Sequence, residues 1–224
     1  MDYARRQAAL LSEIKRDYLY TAAFTGKAQV DERVLQALAR VERHRFVPPE
    51  LAGLAYENHP LAIGYGQTIS QPYIVALMTD FLAVEEHHQI LEIGTGCGYQ
   101  SAVLALLARQ VYSIEIVEPL AAAAAERLAR LGYGNVEVRS GDGSRGWPEK
   151  APFDGIIVTA AAPRIPEALL EQLRPEGRLV VPVGEPRQSQ HLYLVTRAPD
   201  GAVRKRHLLE VAFVPLVESA ANQA

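Results

Sequence analysis

The sequence predicts an α/β protein with a doubly wound, mostly parallel sheet that closes on antiparallel strands. Three observations predict it. Residues 90–99 read as an apolar strand that breaks into a glycine turn and opens a helix. From there to about residue 183, apolar strand segments alternate with helical periods. Beyond that point the helical period vanishes and extended segments follow one another directly.

The elements follow in order. Leu10, Leu11, Ile14 and Tyr18 share one face of a first helix, and Val34, Leu35, Leu38 and Val41 one face of a second, which Asp31 can cap. An irregular stretch rich in Pro, Gly and Tyr runs from Arg45 to Gln71. A helix led by Pro72 then turns Ile74, Leu77, Met78 and Phe81 inward. After the strand ending at Ile93, a helix is expected from Tyr99 to about Arg109 and a strand over Gln110 to Glu115. The alanine tract Ala121 to Ala125 belongs to the next helix, alanine being the best helix former. Strands are expected at about Val136 to Arg139, Phe153 to Thr159 and Gly177 to Val183, with a helix over about Pro166 to Leu173 between the last two. Leu192 to Thr196 and Arg206 to Val217 read as the closing extended segments. Residues 1–88 are therefore taken as N-terminal helices and a covering loop packed on the same core, 89–217 as the sheet core, and 218–224 as a tail.

Composition narrows the function. The 224 residues, 49% of them hydrophobic, suit one α/β domain with an ample core. A formal net charge of −3 and the absence of a long basic block give no general attraction to nucleic acid. A single cysteine excludes an internal disulfide and a cysteine-based zinc cluster. The charged N-terminus lacks a signal-peptide core and no run approaches membrane-spanning length, so a cytoplasmic protein without membrane partner or metal is expected.

The glycine turn separates two ligand classes. A dinucleotide loop of the form G-x-G-x-x-G would need glycine at position 99, where this chain has Tyr99; its third glycine is Gly98. Glu92, two residues ahead of the turn, would repel a pyrophosphate but suits a ligand with ammonium and sulfonium charges. S-adenosylmethionine is such a ligand. Glu115 ends the next strand, where a carboxylate takes two ribose hydroxyls. Asp142, beside Gly143 at the following strand end, could accept a hydrogen bond from an adenine amino group. The expected cofactor set is Glu92, Gly94, Gly96, Gly98, Glu115, Asp142 and Gly143.

Longer strings carry a family resemblance. Ile63-Gly64-Tyr65-Gly66-Gln67-Thr68-Ile69-Ser70-Gln71-Pro72-Tyr73-Ile74-Val75-Ala76, then Leu91 to Gln100, Gly141-Asp142-Gly143 and Phe153 to Ala160 resemble protein-L-isoaspartate O-methyltransferases. Arg45-Phe46-Val47-Pro48 and Val214-Pro215-Leu216 match as well, so the likeness spans roughly residues 30 to 217. Asn58 and Ala62 stand where the family more often has Asp and Pro, and Cys97 where Ser or Thr is usual.

The resemblance implies a Rossmann-like class I methyltransferase fold. It implies methyl transfer from S-adenosylmethionine to the free α-carboxylate of L-isoaspartyl residues in damaged proteins and peptides, giving an ester that closes to a succinimide. Ser70 corresponds to the family's active-site serine, with Thr68 as an assistant and Val214 within the Val211 to Val214 segment that pairs with substrate backbone. One chain acting as a monomer on polypeptide is expected. Such a carboxylate is already ionised at neutral pH, so the site needs donors and a cover and no general base.

Bland readings suit the remaining candidates: Cys97 as a small residue in a tight turn, His87 and His88 as a solvated turn, His59 and His207 as surface histidines. Trp147 reads as sheet packing or a stacking platform, and Arg204, Lys205 and Arg206 as a solvated turn. Ser70 could also merely cap the following helix. Two rival functions share the cofactor strands: a class I methyltransferase for a small molecule or dedicated peptide, and a non-catalytic binding protein of the same fold.

Overall fold

A computed structural model describes residues 2–185 and 188–217; the expected tail, 218–224, lies outside the described residues. Helix α1 (Tyr3–Thr25) starts where the Asp2 side chain accepts a hydrogen bond from Arg5 N and stops at Gly26. Helix α2 (Glu32–Arg40) is capped by Asp31, which accepts from Arg33 N. Leu10, Ile14 and Tyr18 of α1 and Val34, Leu35 and Leu38 of α2 are buried, the faces that the spacing predicts.

The stretch expected to be irregular holds a hairpin, β1 (Leu61–Gly64) and β2 (Gln67–Ile69). Its tip places Tyr65 and Gly66 at φ 54° and 72°, the left-handed conformations that tight hairpin turns demand. Strands of three and four residues are too short for their alternation to stand out in sequence. Helix α3 (Pro72–Leu82) follows and is buried along its whole length.

The main sheet contains β3 (Gln89–Ile93), β4 (Gln110–Glu115), β5 (Val136–Ser140), β6 (Phe153–Val158), β7 (Leu173–Val183), β8 (Gln190–Arg197) and β9 (Val203–Val211), in the order β5-β4-β3-β6-β7-β8-β9. The first five run parallel, and β8 and β9 add antiparallel pairs, as expected. Chain order reverses beside β3, so the crevice beyond its C-terminal end is where such a sheet receives a ligand.

Helices α4 (Tyr99–Ala105), α5 (Glu118–Arg130) and α6 (Glu167–Glu171) complete the layers. Helix α4 is shorter than expected because Arg109 N and Gln110 N donate to the His88 carbonyl, drawing the chain into the sheet early. Helix α6 is short for a like reason: Leu173 already pairs with Phe153, and β7 begins there. Strand β9 ends at Val211. Residues 212–217, expected as a continuing strand, instead cross the strand ends, where Ala161 N donates to Val214 O at 2.8 Å and Leu216 N to Ala161 O at 2.7 Å.

Alternation along the strands divides the core. Ile90, Val111, Ile157 and Val180 face the layer that also holds α1, α2 and α3, so the N-terminal helices share one apolar cluster with the sheet. Leu91, Ile93, Ile114, Ile156 and Leu179 face the opposite layer around Trp147 and Phe153. Trp147 packs edge-on against Tyr112, its ring centroid 5.5 Å away, which selects the packing reading.

Asp80 on α3 fastens the N-terminal helices. It accepts from the Tyr18 hydroxyl at 3.0 Å and Asp31 N at 3.3 Å and pairs with Lys27, while its side chain is 2% exposed. Asp80→Ala leaves a buried hydroxyl and an ammonium without their acceptor, so unfolding free energy should fall by about 3 kcal/mol. Urea denaturation measures this; a wild-type midpoint would show that the anchor contributes nothing.

Candidate functional site

The C-terminal ends of β3, β4 and β6 converge on the glycine turn. Gly94 has φ 94°, and a Cβ there would lie 2.4 Å from Thr159 Oγ1, so a side chain is excluded twice over. Thr159 Oγ1 donates to Gly94 O at 2.7 Å, tying β6 to the turn. Glu115, at the end of β4, accepts Gly96 N at 2.7 Å on one oxygen and Val117 N at 3.0 Å on the other. The hairpin lies over this turn: a Cβ on Gly96 would meet Ile63 Cδ1 at 3.3 Å.

Three cavities open around this point. A narrow one is lined by Gly94, Gly96, Glu115 and Gly143 of the strand ends, by Gln67 and Thr68 of the hairpin, and by Val214 to Val217. A large one of about 670 Å³ is lined by Ser70, Thr68, Tyr73 and Ile74, by Asp17, Tyr20 and Thr21 of α1, and by Leu209 to Val214. A small one between them touches Ser70, Gly96, Cys97 and Tyr99. Thr68 and Thr159 line all three, and Val214 the two larger ones.

Of the residues the sequence singled out for the cofactor, Gly94, Gly96, Glu115 and Gly143 thus share one cavity; Thr68, Ser70 and Val214 share the other. Three stand apart. Glu92 was expected to meet a cationic ligand, yet it lies fully buried behind the turn and lines none of the three cavities. Its Oε2 accepts from Ser113 Oγ at 2.7 Å and from Ser101 Oγ, its Oε1 has no partner, and burial pushes its pKa up to about 7. Strand alternation accounts for this correction, since Glu92 points out of the sheet toward α4 and not along the strand to its end.

Asp142 lines none of the three cavities either. Its Oδ1 accepts Ser144 N at 2.9 Å and Ser144 Oγ at 2.7 Å, capping a short helical turn, and its Oδ2 faces Arg145 Nε at 3.9 Å. Gly98 is the N-cap of α4, and a Cβ there would press on Leu128 of α5 at 3.2 Å. Its requirement is helix packing and not ligand approach.

The capping reading of Ser70 also resolves. Gln71 is the N-cap of α3 and no side chain caps it. The Ser70 side chain belongs to the cavity wall, and its carbonyl accepts from Arg43 Nη2 at 2.8 Å. Sequence reading missed Thr159 and the α1 wall. A threonine closing an otherwise apolar strand was the available signal for the first; α1 carried none, because its cavity face is distant in sequence.

Arg204, Lys205 and Arg206, expected as a solvated turn, are instead exposed residues of β9, paired with β8; the histidines and Cys97 keep their bland readings. Cys97 is buried, and burial raises its thiol pKa. His59 pairs with Glu57, His88 bonds Glu85 N, and His207 lies beside His191 on β8 and β9. Among the described residues no group of three or more His, Cys, Asp or Glu could hold a metal ion.

A family model described as protein-L-isoaspartate(D-aspartate) O-methyltransferase matches residues 17–221. The chain belongs to this family. It is 57% identical over 214 residues to protein-L-isoaspartate O-methyltransferase 2 of Syntrophobacter fumaroxidans, covering 96% of this chain and 87% of that one. It is 55% identical to a Polaromonas relative of the same name, covering 92% and 98%. A solved protein-L-isoaspartate O-methyltransferase superposes with TM-score 0.80 at 27% identity over 93% of this chain; the match spans 65% of that longer chain. A Plasmodium falciparum structure, solved with S-adenosyl-L-homocysteine and described as the same enzyme type, gives TM-score 0.77 at 25% identity, covering 93% and 97%.

One departure from the usual protein-L-isoaspartate O-methyltransferase pattern has a structural partner. Asn58, where Asp is more common, donates to Asp17 Oδ2 at 2.6 Å and accepts from Tyr73 N at 3.0 Å. An aspartate there would face the Asp17 carboxylate.

Glu92 gives a pH signature. Its folded pKa of about 7 lies above the model-peptide value of 4.5, so between these values the folded state keeps a proton that the unfolded chain has lost. The stability this carries is full below about pH 4.5 and is lost as pH rises through about 7. Over that window the wild type should lose about 3 kcal/mol relative to Glu92→Gln, which cannot ionise. Urea denaturation of both proteins across the window reads the difference; parallel profiles would mean that Glu92 is ionised in the fold throughout.

Proposed function

We propose that this chain transfers a methyl group from S-adenosylmethionine to the free α-carboxylate of L-isoaspartyl residues in damaged proteins and peptides. The observation that carries the reading is the meeting of two cavities at Thr68 and Thr159, one walled by strand-end glycines and Glu115, the other by Ser70 and Val214.

The lining of the narrow cavity has the chemistry that the cofactor needs. Each Glu115 oxygen has accepted one backbone N–H, which leaves a second lone pair on each for a pair of ribose hydroxyls. Gly94, Gly96 and Gly143 keep side chains off that wall, and Ile114, Ile116 and Leu216 supply apolar cover. Among the described residues no lysine or arginine lines it to oppose a sulfonium. When bound, S-adenosylmethionine supplies an electrophilic methyl group.

The acceptor is a carboxylate with a pKa near ~4, ionised before it arrives. What the protein adds is alignment and removal of water. The Ser70 hydroxyl donates to the carboxylate and orients it, Thr68 and Thr159 flank the passage between cavities, and the β1–β2 hairpin covers it. The family match favours this reading over the small-molecule rival, since a volume of 670 Å³ lies within the ordinary range of small-molecule sites. Backbone pairing by the segment after β9 is narrower than the sequence suggests. Gln190 holds both Phe213 N and Phe213 O, and Ala161 N holds Val214 O, so pairing falls to Ala212 and the Val214 N–H.

The same reading takes the chain as a cytoplasmic monomer acting on polypeptide and not on nucleic acid. The net charge of −3 and the single cysteine support the cytoplasmic, non-nucleic-acid part of it. Among the described residues no helix is long and apolar enough to cross a membrane.

The test is methyl transfer from labelled cofactor to matched peptides that differ only in an isoaspartyl or aspartyl linkage. Label should enter the isoaspartyl peptide alone, because the normal side-chain carboxylate is one methylene out of line. Equal labelling of both would contradict the assignment. Ser70→Ala should then lose at least ~10-fold in turnover, or ~1.4 kcal/mol of transition-state stabilisation, without the ~0.5–2 kcal/mol of folding stability that a lost cap would cost. Normal turnover in a destabilised variant would reverse the two roles.

A further inference from the structure

Arg43 heads the largest fully buried side chains of the fold, with no solvent exposure. It lies in the helical turn Arg43–Arg45 ahead of the hairpin, and its guanidinium enters no ion pair among the described residues. Nη2 donates to the Ser70 carbonyl at 2.8 Å, the guanidinium carbon stands 4.8 Å from the Tyr99 ring centroid, and Nε and Nη1 have no partner. A guanidinium stays charged in proteins, and burying one without a counter-ion is among the most expensive arrangements a fold can hold. An apolar side chain of similar length would fill the space more cheaply, so volume alone does not explain an arginine here.

Its surroundings suggest the reason. Ser70, whose carbonyl it bonds, and Tyr99, on whose ring it lies, both line the small cavity that shares Thr68 and Thr159 with the larger ones. Among the described residues, no lysine or arginine lines the three cavities, whereas Asp17 and Glu210 line the 670 Å³ cavity. A substrate carboxylate entering there meets two acidic residues and, among the described residues, no lining cation. The positive charge, without an ion-pair partner among the described residues, stands against the backbone carbonyl of the serine that is to receive the carboxylate, in a medium that screens it weakly.

We propose that Arg43 is a positioning residue for the acceptor. Its buried charge draws the substrate carboxylate to Ser70, and its bond to the Ser70 carbonyl and stack on Tyr99 hold the Ser70 loop against the glycine turn. This deepens the methyl-transfer reading above and rests on it.

The experiment uses the full chain loaded with S-adenosyl-L-homocysteine and two peptides, one isoaspartyl and one with that α-carboxylate replaced by a carboxamide. Affinity for each is measured by calorimetry, and kcat and KM for the acid are measured separately. Arg43→Met should lose about tenfold or more of the preference for carboxylate over amide, with KM raised, kcat lowered and S-adenosyl-L-homocysteine affinity kept. Arg43→Lys should recover most of that preference while kcat stays low, since an ammonium supplies charge without the planar fork. A Met variant with wild-type preference, or a Lys variant no better than Met, would overturn the proposal. The preference is a ratio taken on folded molecules, so partial unfolding does not distort it. If the Met variant does not fold, Lys decides alone: kept preference with lowered kcat supports the proposal, and lost preference or wild-type kcat overturns it. A wild-type protein that methylates no isoaspartyl peptide would instead remove the methyl-transfer reading, and this proposal with it.

Discussion

Two backbone N–H groups converging on the Glu115 carboxylate set the geometry of the ligand edge. Gly96 and Val117 belong to different βα turns, and one side chain holds both. Because the acceptor is ionised, these are among the stronger hydrogen bonds in the molecule. The glycine turn can come this close only because Gly94 has no Cβ to strike Thr159, whose hydroxyl bonds the turn's own carbonyl. Once the turn is placed, so is everything resting on it: Ile63 of the hairpin above, α4 beginning at Tyr99, and through Tyr99 the Arg43 guanidinium that holds Ser70. The donor cavity and the acceptor cavity are therefore fixed relative to each other by short polar contacts and not by loop packing alone.

Buried charge follows the same division of labour. Asp80 is surrounded by donors and fastens α1 and α2 to α3, and α1 in turn supplies one wall of the large cavity. Glu92 is served by two serine hydroxyls but left with an idle oxygen, so burial dominates and the proton stays on near neutrality. Arg43 has a carbonyl and an aromatic face but no anion. A partly satisfied charge such as that of Arg43 costs stability, and Arg43 bonds the carbonyl of Ser70 at the proposed acceptor site, where an electrostatic return is available.

The strand and helix order was legible because period-two and period-3.6 patterns switch cleanly along this chain, and because glycines mark the turn after β3. What escaped was decided by partners remote in sequence. The hairpin is too short to show a period and is recognisable only by lying on the glycine turn. The last residues of the expected closing strand leave the sheet because Ala161 captures Val214 and Leu216. At the site, Glu115, Gly94, Gly96 and Gly143 were readable from their places at strand ends, and Ser70 from the string around it. Glu92 was misread because it points across the sheet rather than along it, a direction that spacing alone does not show.

The central claim is that the two cavities place donor and acceptor side by side across Thr68 and Thr159. The most direct measurement is a crystal structure of the protein with S-adenosyl-L-homocysteine and an isoaspartyl peptide bound together. The account predicts ribose hydroxyls on Glu115, the thioether sulfur directed through the Thr68–Thr159 passage, and the peptide carboxylate on the Ser70 hydroxyl. A thioether directed away from that passage, or a peptide carboxylate bound beyond reach of Ser70, would contradict it.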